Sequence, residues 1–217
     1  MNTCKLIDIG LSEFTIFKNL VNIRRDYIGQ LSDLDILFLY SLVRYYRPVK
    51  ILEVGCSYGF STKVILEALY QNKLNFSLNS YDVDFEKIKI LSEYLKTESR
   101  VSISCKDLFD IDFESYDFIF MDSDHTSQAA NFYLNSLISN EIPFSLAVHD
   151  VHELTINSQG TEAIILRDFI SSNDFANEYY YKYNQNIISS LKKFNITSDF
   201  QSKLCFIRIS RNYEALK

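Results

Sequence analysis

Between residues 49 and 148 short apolar runs alternate with stretches of about a dozen residues that carry apolar side chains at helical spacing, and this alternation restricts the possible folds more than any other feature. "VKILEV" (49–54) is apolar and β-branched with little alternation, as in a strand buried on both faces of a parallel sheet. "FSTKVILEALYQ" then reads as helix, "FSLNSYD" as strand, "FEKIKILSEYLK" as helix, "VSISC" and "YDFIFMD" as strands, "SQAANFYLNSLI" as helix and "FSLAVHD" as strand. Strands separated by such helices form right-handed βαβ units. The expected fold is therefore α/β: a Rossmann-like, doubly wound, mostly parallel seven-stranded sheet. "TEAIILRDFI" reads as a further helix, and "EYYYKY" (178–183) and "LCFIRIS" (204–210) as an antiparallel finish. Upstream, Phe17, Leu20 and Val21 in 12–28, and Leu34, Leu37 and Leu42 in 32–46, predict two extra N-terminal helices, the second ended by Pro48. One domain over 1–217 is expected, with 1–47 as a helical cap and 48–217 as the core.

Charge narrows the partners. The formal net charge is −6 and the longest basic runs are the pairs Arg24–Arg25 and Lys192–Lys193, so the electrostatic footprint of a nucleic-acid binder is missing. A neutral or cationic small ligand fits better. The four cysteines, Cys4, Cys56, Cys105 and Cys205, lack CxxC spacing, and no apolar run approaches the length of a membrane span. With no signal-like leader, a cytoplasmic location is the expectation.

The loop "EVGCSYGFST" follows the first strand, where open α/β sheets bind ligands. Gly55 and Gly59 permit positive φ and close backbone approach. Ser57 stands where a GxGxxG fingerprint has its middle glycine, and no GK[ST] follows, so the loop is ill suited to pyrophosphate. Asp82 follows Gly59 by 23 positions, close to the offset of roughly 20 at which a carboxylate takes a ribose hydroxyl pair, which implies adenosine. Glu53 adds a carboxylate that repels phosphate and attracts an ammonium or sulfonium group.

Together "EVGCSYGFST", "YDVD", "YDFIFMDSDH" and "AVHD" resemble the class I S-adenosylmethionine-dependent methyltransferases, particularly the small-molecule O-methyltransferase-like branch, over about residues 45–155. The resemblance implies that Glu53, Gly55, Ser57, Gly59 and Ser61 surround the methionine part of S-adenosylmethionine. It further implies that Asp82 holds the ribose, that Asp107 lies near the adenine and that Asp122 belongs to the same cofactor site. Asp84 is expected to face solvent or to begin the next helix.

All three histidines, His125, His149 and His152, fall in "DSDH" and "HDVH" at strand ends. With Asp122, Asp124 and Asp150 they are expected to share the cofactor cleft. A histidine of ordinary pKa about 6.5 can take a hydroxyl proton near neutral pH, so His125 is the expected base, with Asp122 and Asp124 beside it. Asp122 and Asp150 offer hard oxygen ligands for Mg²⁺ or another divalent cation. Cation-dependent relatives usually follow the second metal aspartate with Asn or Asp, whereas Val151 follows Asp150 here. His149 is a candidate for a satisfied core histidine.

The expected reaction is transfer of a methyl group from S-adenosylmethionine to a hydroxyl of a small-molecule acceptor. Aromatic residues of the N-terminal helices and of the C-terminal part serve the core, an acceptor pocket or a homodimer face. Two alternatives stand beside this reading: a metal-dependent hydrolase using the Asp/His cluster, and a non-catalytic binding protein of the same fold.

Overall fold

Alternate residues of the central strands enter different apolar layers. Ile51, Phe118, Phe120, Ala147 and Phe206 pack with the N-terminal helices, while Leu52, Val54, Ile119, Met121, Leu146, Val148 and Ile207 pack on the opposite side. Such a sheet needs helices on both faces, and the chain supplies them. The structure is a computed structural model that describes residues 3–24, 31–138, 144–151, 161–172, 176–179 and 204–210.

The strands are β1 (Lys50–Val54), β2 (Ser77–Asp82), β3 (Val101–Cys105), β4 (Phe118–Met121), β5 (Phe144–Val148), β6 (Ala176–Tyr179) and β7 (Cys205–Ser210). They form one seven-stranded sheet in the order β3-β2-β1-β4-β5-β7-β6. β7 runs antiparallel to β5 and β6, and the other pairings are parallel, as expected from the sequence. β6 begins two residues before the predicted run; the remainder of that run lies outside the described residues, as do Tyr27, His152 and the segment 184–203. The chain leaves β1 for β2 and β3 and then returns to β4 on the other side. This reversal opens a crevice beyond the carboxyl ends of β1 and β4.

Among the described residues four helices follow the cap: α4 (Phe60–Asn72), α5 (Phe85–Leu95), α6 (Ser127–Ile138) and α7 (Thr161–Ser172). A single 3-10 turn, Leu108–Asp110, replaces a helix between β3 and β4. Among the described residues no helix is long and apolar enough to cross a membrane.

Among the described residues the cap holds three helices, α1 (Thr3–Ser12), α2 (Phe14–Ile23) and α3 (Asp33–Tyr46); α2 and α3 answer to the two expected, and α1 precedes them. α1 and α2 are separated at Glu13, whose φ −107° and ψ 37° are not helical. Ser12 Oγ donates to the Ile9 carbonyl at 2.7 Å and closes α1. The Glu13 carboxylate then accepts from the Tyr40 hydroxyl and from Arg44 Nε at 2.8 Å, which ties the corner to α3. Leu6, Ile7, Phe17 and Leu20 are all buried, each worth about 1.5–3 kcal/mol, so the cap is part of the core. α3 begins with a reciprocal capping box between Ser32 and Asp35 and ends at Arg47, in left-handed conformation before Pro48.

Candidate active site

The loop between β1 and α4 is shaped by two glycines. Gly55 and Gly59 have φ of 87° and 88°, and Ser57 between them also has positive φ, 46°. A Cβ on Gly55 would lie 1.9 Å from the Asp122 carbonyl oxygen, because the Asp122 N–H donates to Val54 O at 2.8 Å and holds the two strand ends together. Gly55 therefore serves a close backbone approach as well as a turn. Gly59 begins α4 and faces Leu91.

Glu53, expected beside the methionine part, does not line this loop. It is completely buried, and its carboxylate accepts from Ser61 Oγ at 2.6 Å, Thr62 Oγ1 at 2.7 Å and Ser80 Oγ at 2.6 Å. Burial pushes its carboxyl up, against the pull of these hydroxyls. Glu53 thus fastens the start of α4 and the middle of β2 to β1 from beneath. Ser61, whose hydroxyl is turned to Glu53, is nearly buried as well.

Asp82 stands at the end of β2 with both oxygens oriented by backbone donors. Oδ2 accepts from Ser57 N–H at 2.7 Å and Oδ1 from Asp84 N–H at 2.9 Å. A carboxylate has about four acceptor positions, so two remain for a ligand. Asp84 is the N-cap of α5, accepting from Glu86 and Lys87, as one of its two expected roles required. Asp107 caps the 3-10 turn through Phe109 N–H.

These ends enclose a cleft of about 400 Å³ lined by Val54, Gly55, Asp82, Val83, Lys106, Asp107, Leu108, Phe109 and residues 122–124. Four aspartates (82, 107, 122 and 124) face it against one lysine, Lys106. A smaller recess, which shares Gly55 and Asp122 with the cleft, adds Leu31, Cys56, Ser57, Tyr58, Phe60 and Ser61. Gly55, Ser57, Ser61, Asp82, Asp107, Asp122 and Asp124 thus share one edge of the sheet. Val83 and Phe109, 67% and 44% exposed, supply apolar cleft surface that the sequence reading did not single out.

Beyond Asp122 lies a second layer of charge. His149 is buried, its Nδ1 3.1 Å from Asp122 Oδ1 and its Nε2 3.4 Å from Asp35 Oδ2 on α3. Burial alone would lower its pKa, but the hydrogen bonds to Asp122 and Asp35 prevail and hold it up at about 10. The satisfied core histidine is thus a cation between two carboxylates. His125 is half-buried; its Nδ1 lies 2.7 Å from Glu162 Oε2, and its Nε2 3.9 Å from Asp122 Oδ1. Glu162 holds its pKa above the usual value despite desolvation, with Asp122 and Asp150 adding to the effect.

One ligand atom each from Asp122, His149 and Asp150 lie within 4.8 Å of one another, which is a plausible spacing for a divalent cation. As placed without an ion, His149 sits between carboxylates at both nitrogens and is held as a cation, so an ion there would have to displace a proton from the ring. Asp122 Oδ1 is meanwhile engaged by that ring. No mechanistic step below is routed through a metal. Thermal unfolding in EDTA and in saturating Mg²⁺, Mn²⁺ or Zn²⁺ is expected to give the same midpoint; a midpoint raised by one of these ions and lowered by the chelator would contradict this placement of protons.

Glu162 and Asp35 were missed by sequence reasoning. Asp35 carried only its capping-box signature, and Glu162 only the weak signal of an acidic residue in the first turn of a helix.

The strand order, the single antiparallel strand and the glycine loop facing the switch point together define the class I methyltransferase fold. Residues 52–143 match the family model described as a methyltransferase domain, in agreement with the resemblance read from the sequence. Solved structures agree on the fold. An O-methyltransferase from Bacillus cereus in complex with SAH is similar at TM-score 0.62 and 14% identity, covering 91% of each chain. The SAH-bound Podospora anserina methyltransferase PaMTH1 is similar at TM-score 0.60 and 14% identity, over 90% of this chain and 88% of that one. The O-methyltransferase TomG from Streptomyces achromogenes, involved in tomaymycin synthesis and in complex with SAM, gives 0.59 at 13% identity, over 90% and 89%. No curated protein matches significantly in sequence.

Proposed function

We propose that the protein transfers the methyl group of S-adenosylmethionine to a hydroxyl oxygen of a small molecule. The observation that carries this reading is the charge of the cleft, where four aspartates oppose one lysine around a loop without phosphate-binding features. Such a lining repels a dinucleotide's phosphates and attracts a sulfonium and an ammonium group. The ligands bound in the structural neighbours, SAH and SAM, point the same way.

The chain's residues fit that molecule. Asp82, oriented by Ser57 and Asp84, presents acceptors to a ribose diol. Val83, Leu108 and Phe109 offer apolar contact to an adenine, with Asp107 at its edge. The recess bounded by Gly55, Ser57 and Ser61 takes the amino-acid end. Bound there, the cofactor supplies an electrophilic methyl group.

The protein's work is then positioning and one proton transfer. Holding acceptor oxygen, methyl carbon and sulfur in line accounts for up to about 7–11 kcal/mol of a barrier in favourable cases. His125 takes the hydroxyl proton at Nε2, while Nδ1 donates to Glu162. Asp122 and Asp124 keep the cleft negative beside it. The hydrolase alternative needs a tightly held metal, and the pairing of His149 speaks against one.

Incubation with S-adenosylmethionine and a panel of phenols, sugars and polyketide alcohols should yield S-adenosylhomocysteine and an acceptor heavier by one methylene. Cleavage of an ester or phosphate by the protein without S-adenosylmethionine, and no methylated product, would overturn the reading.

A further inference from the structure

The α6–α7 interface contains a carboxylate that packing does not require. Glu162 is 3% exposed and sits at the first turn of α7 among Ala129, Ala130, Ala163 and Leu166, all buried in the same apolar layer. Burying an ionised carboxyl costs several kcal/mol unless its oxygens are paired. Both are paired: Oε1 accepts from the Tyr133 hydroxyl at 2.8 Å, and Oε2 lies 2.7 Å from His125 Nδ1. Tyr133 is itself wholly buried, and burial together with Glu162 keeps its hydroxyl protonated, so it can only donate to the carboxylate.

We infer that Glu162, oriented by Tyr133, is a positioning residue for His125: it fixes the neutral imidazole with its proton on Nδ1, so that the lone pair is on Nε2, the nitrogen nearer Asp122, which lines the cleft. The inference rests on the reading of His125 as the base and adds what sets its tautomer. A neutral imidazole carries one proton, and the nitrogen that carries it is set by the bond its partner offers. A carboxylate accepts only, so Nδ1 must donate. An amide or hydroxyl at the same place accepts less strongly, and an apolar residue leaves the ring free to choose. In free histidine the proton favours Nε2, the tautomer with no lone pair at that nitrogen. The buried carboxylate therefore reverses the intrinsic preference of the ring, and the buried tyrosine restricts which way that carboxylate turns.

The test reads the tautomer directly. Imidazole ¹⁵N spectra of the full chain, labelled at histidine, are recorded above the pKa of the His125 ring, whose signals are assigned by their loss in His125→Gln. The wild type should show the proton on Nδ1. Glu162→Ala should move most of the population to Nε2, and Glu162→Gln, which keeps size and an acceptor oxygen, should retain a majority on Nδ1. Tyr133→Phe should leave the tautomer in place but broaden the signals. If Glu162→Ala does not fold, the wild type and Glu162→Gln decide. A wild-type ring protonated on Nε2, or a tautomer that Glu162→Ala leaves unchanged, would overturn the inference. Failure of the methyl-transfer reading would show differently, as an intact Nδ1 tautomer in a protein that S-adenosylmethionine neither binds nor stabilises.

Discussion

His125→Ala is expected to lower methyl transfer about 10²–10⁴-fold while leaving the affinity for S-adenosylmethionine within a factor of about two. The separation follows from where the side chain stands. Asp82, the glycine loop and Phe109 line the cleft and its recess, whereas His125 lies 3.9 Å from Asp122 and is hydrogen-bonded to Glu162 behind. Removing it takes away a proton acceptor without opening the adenosyl pocket. The wild-type pH profile carries the same information. A base must be neutral, and Glu162 raises the pKa of His125, so kcat/KM should climb with pH through a value above the ordinary 6.5. In His125→Ala that limb should vanish. Rate measurements across pH, paired with calorimetric titration of the cofactor, check both; a fully active variant would remove His125 from the mechanism.

Gly55→Ala should be the most damaging single change in the loop. Its φ of 87° alone costs a residue with Cβ about 1–2 kcal/mol, and the added atom would stand 1.9 Å from the Asp122 carbonyl oxygen. Backbone must move, since the neighbour is no flexible side chain. What moves is the junction of β1 and β4, where Asp122 lines both cavities and pairs with His149. We expect S-adenosylmethionine to bind at least about 100-fold more weakly, equivalent to about 2.8 kcal/mol, with a lower unfolding midpoint. Gly59→Ala is the internal comparison. It has the same strained φ, but the clash is with the Leu91 side chain, which can rotate away. Its loss should be clearly smaller, and equal losses in titration and thermal unfolding would show that the Asp122 contact is not the reason.

Most of the sheet was legible because period and burial agree. Strands with apolar residues on both faces, separated by helices, leave few arrangements, and the residues that end the strands are those that meet at the switch point. The loop and Asp82 were legible for the same reason, as local spacing reports local backbone. The helix α1, which lies before the first helix expected, was not, because the apolar layer that buries Leu6 and Ile7 is completed only in the packed chain. It ends at Glu13, whose side chain reaches Tyr40 and Arg44, 27 and 31 positions away. Glu53 misled in an instructive way: a carboxylate before the glycines suggests a ligand, yet β1 alternation turns it inward onto Ser61, Thr62 and Ser80. The partners of the histidines were hidden by distance along the chain, Asp35 being 114 residues from His149 and Glu162 37 residues from His125. Each of those acids, read alone, is an ordinary helix-terminal residue.

The central claim, that the acidic cleft and the glycine loop hold an adenosyl sulfonium, is tested most directly by thermal stabilisation with S-adenosylmethionine, S-adenosylhomocysteine, NAD and ATP in parallel. The account predicts a rise for the first two, corresponding to about 2.7 kcal/mol when the ligand is at 100 times its dissociation constant, and none for the phosphate-bearing pair. Stabilisation by NAD or ATP with no response to S-adenosylmethionine would contradict it.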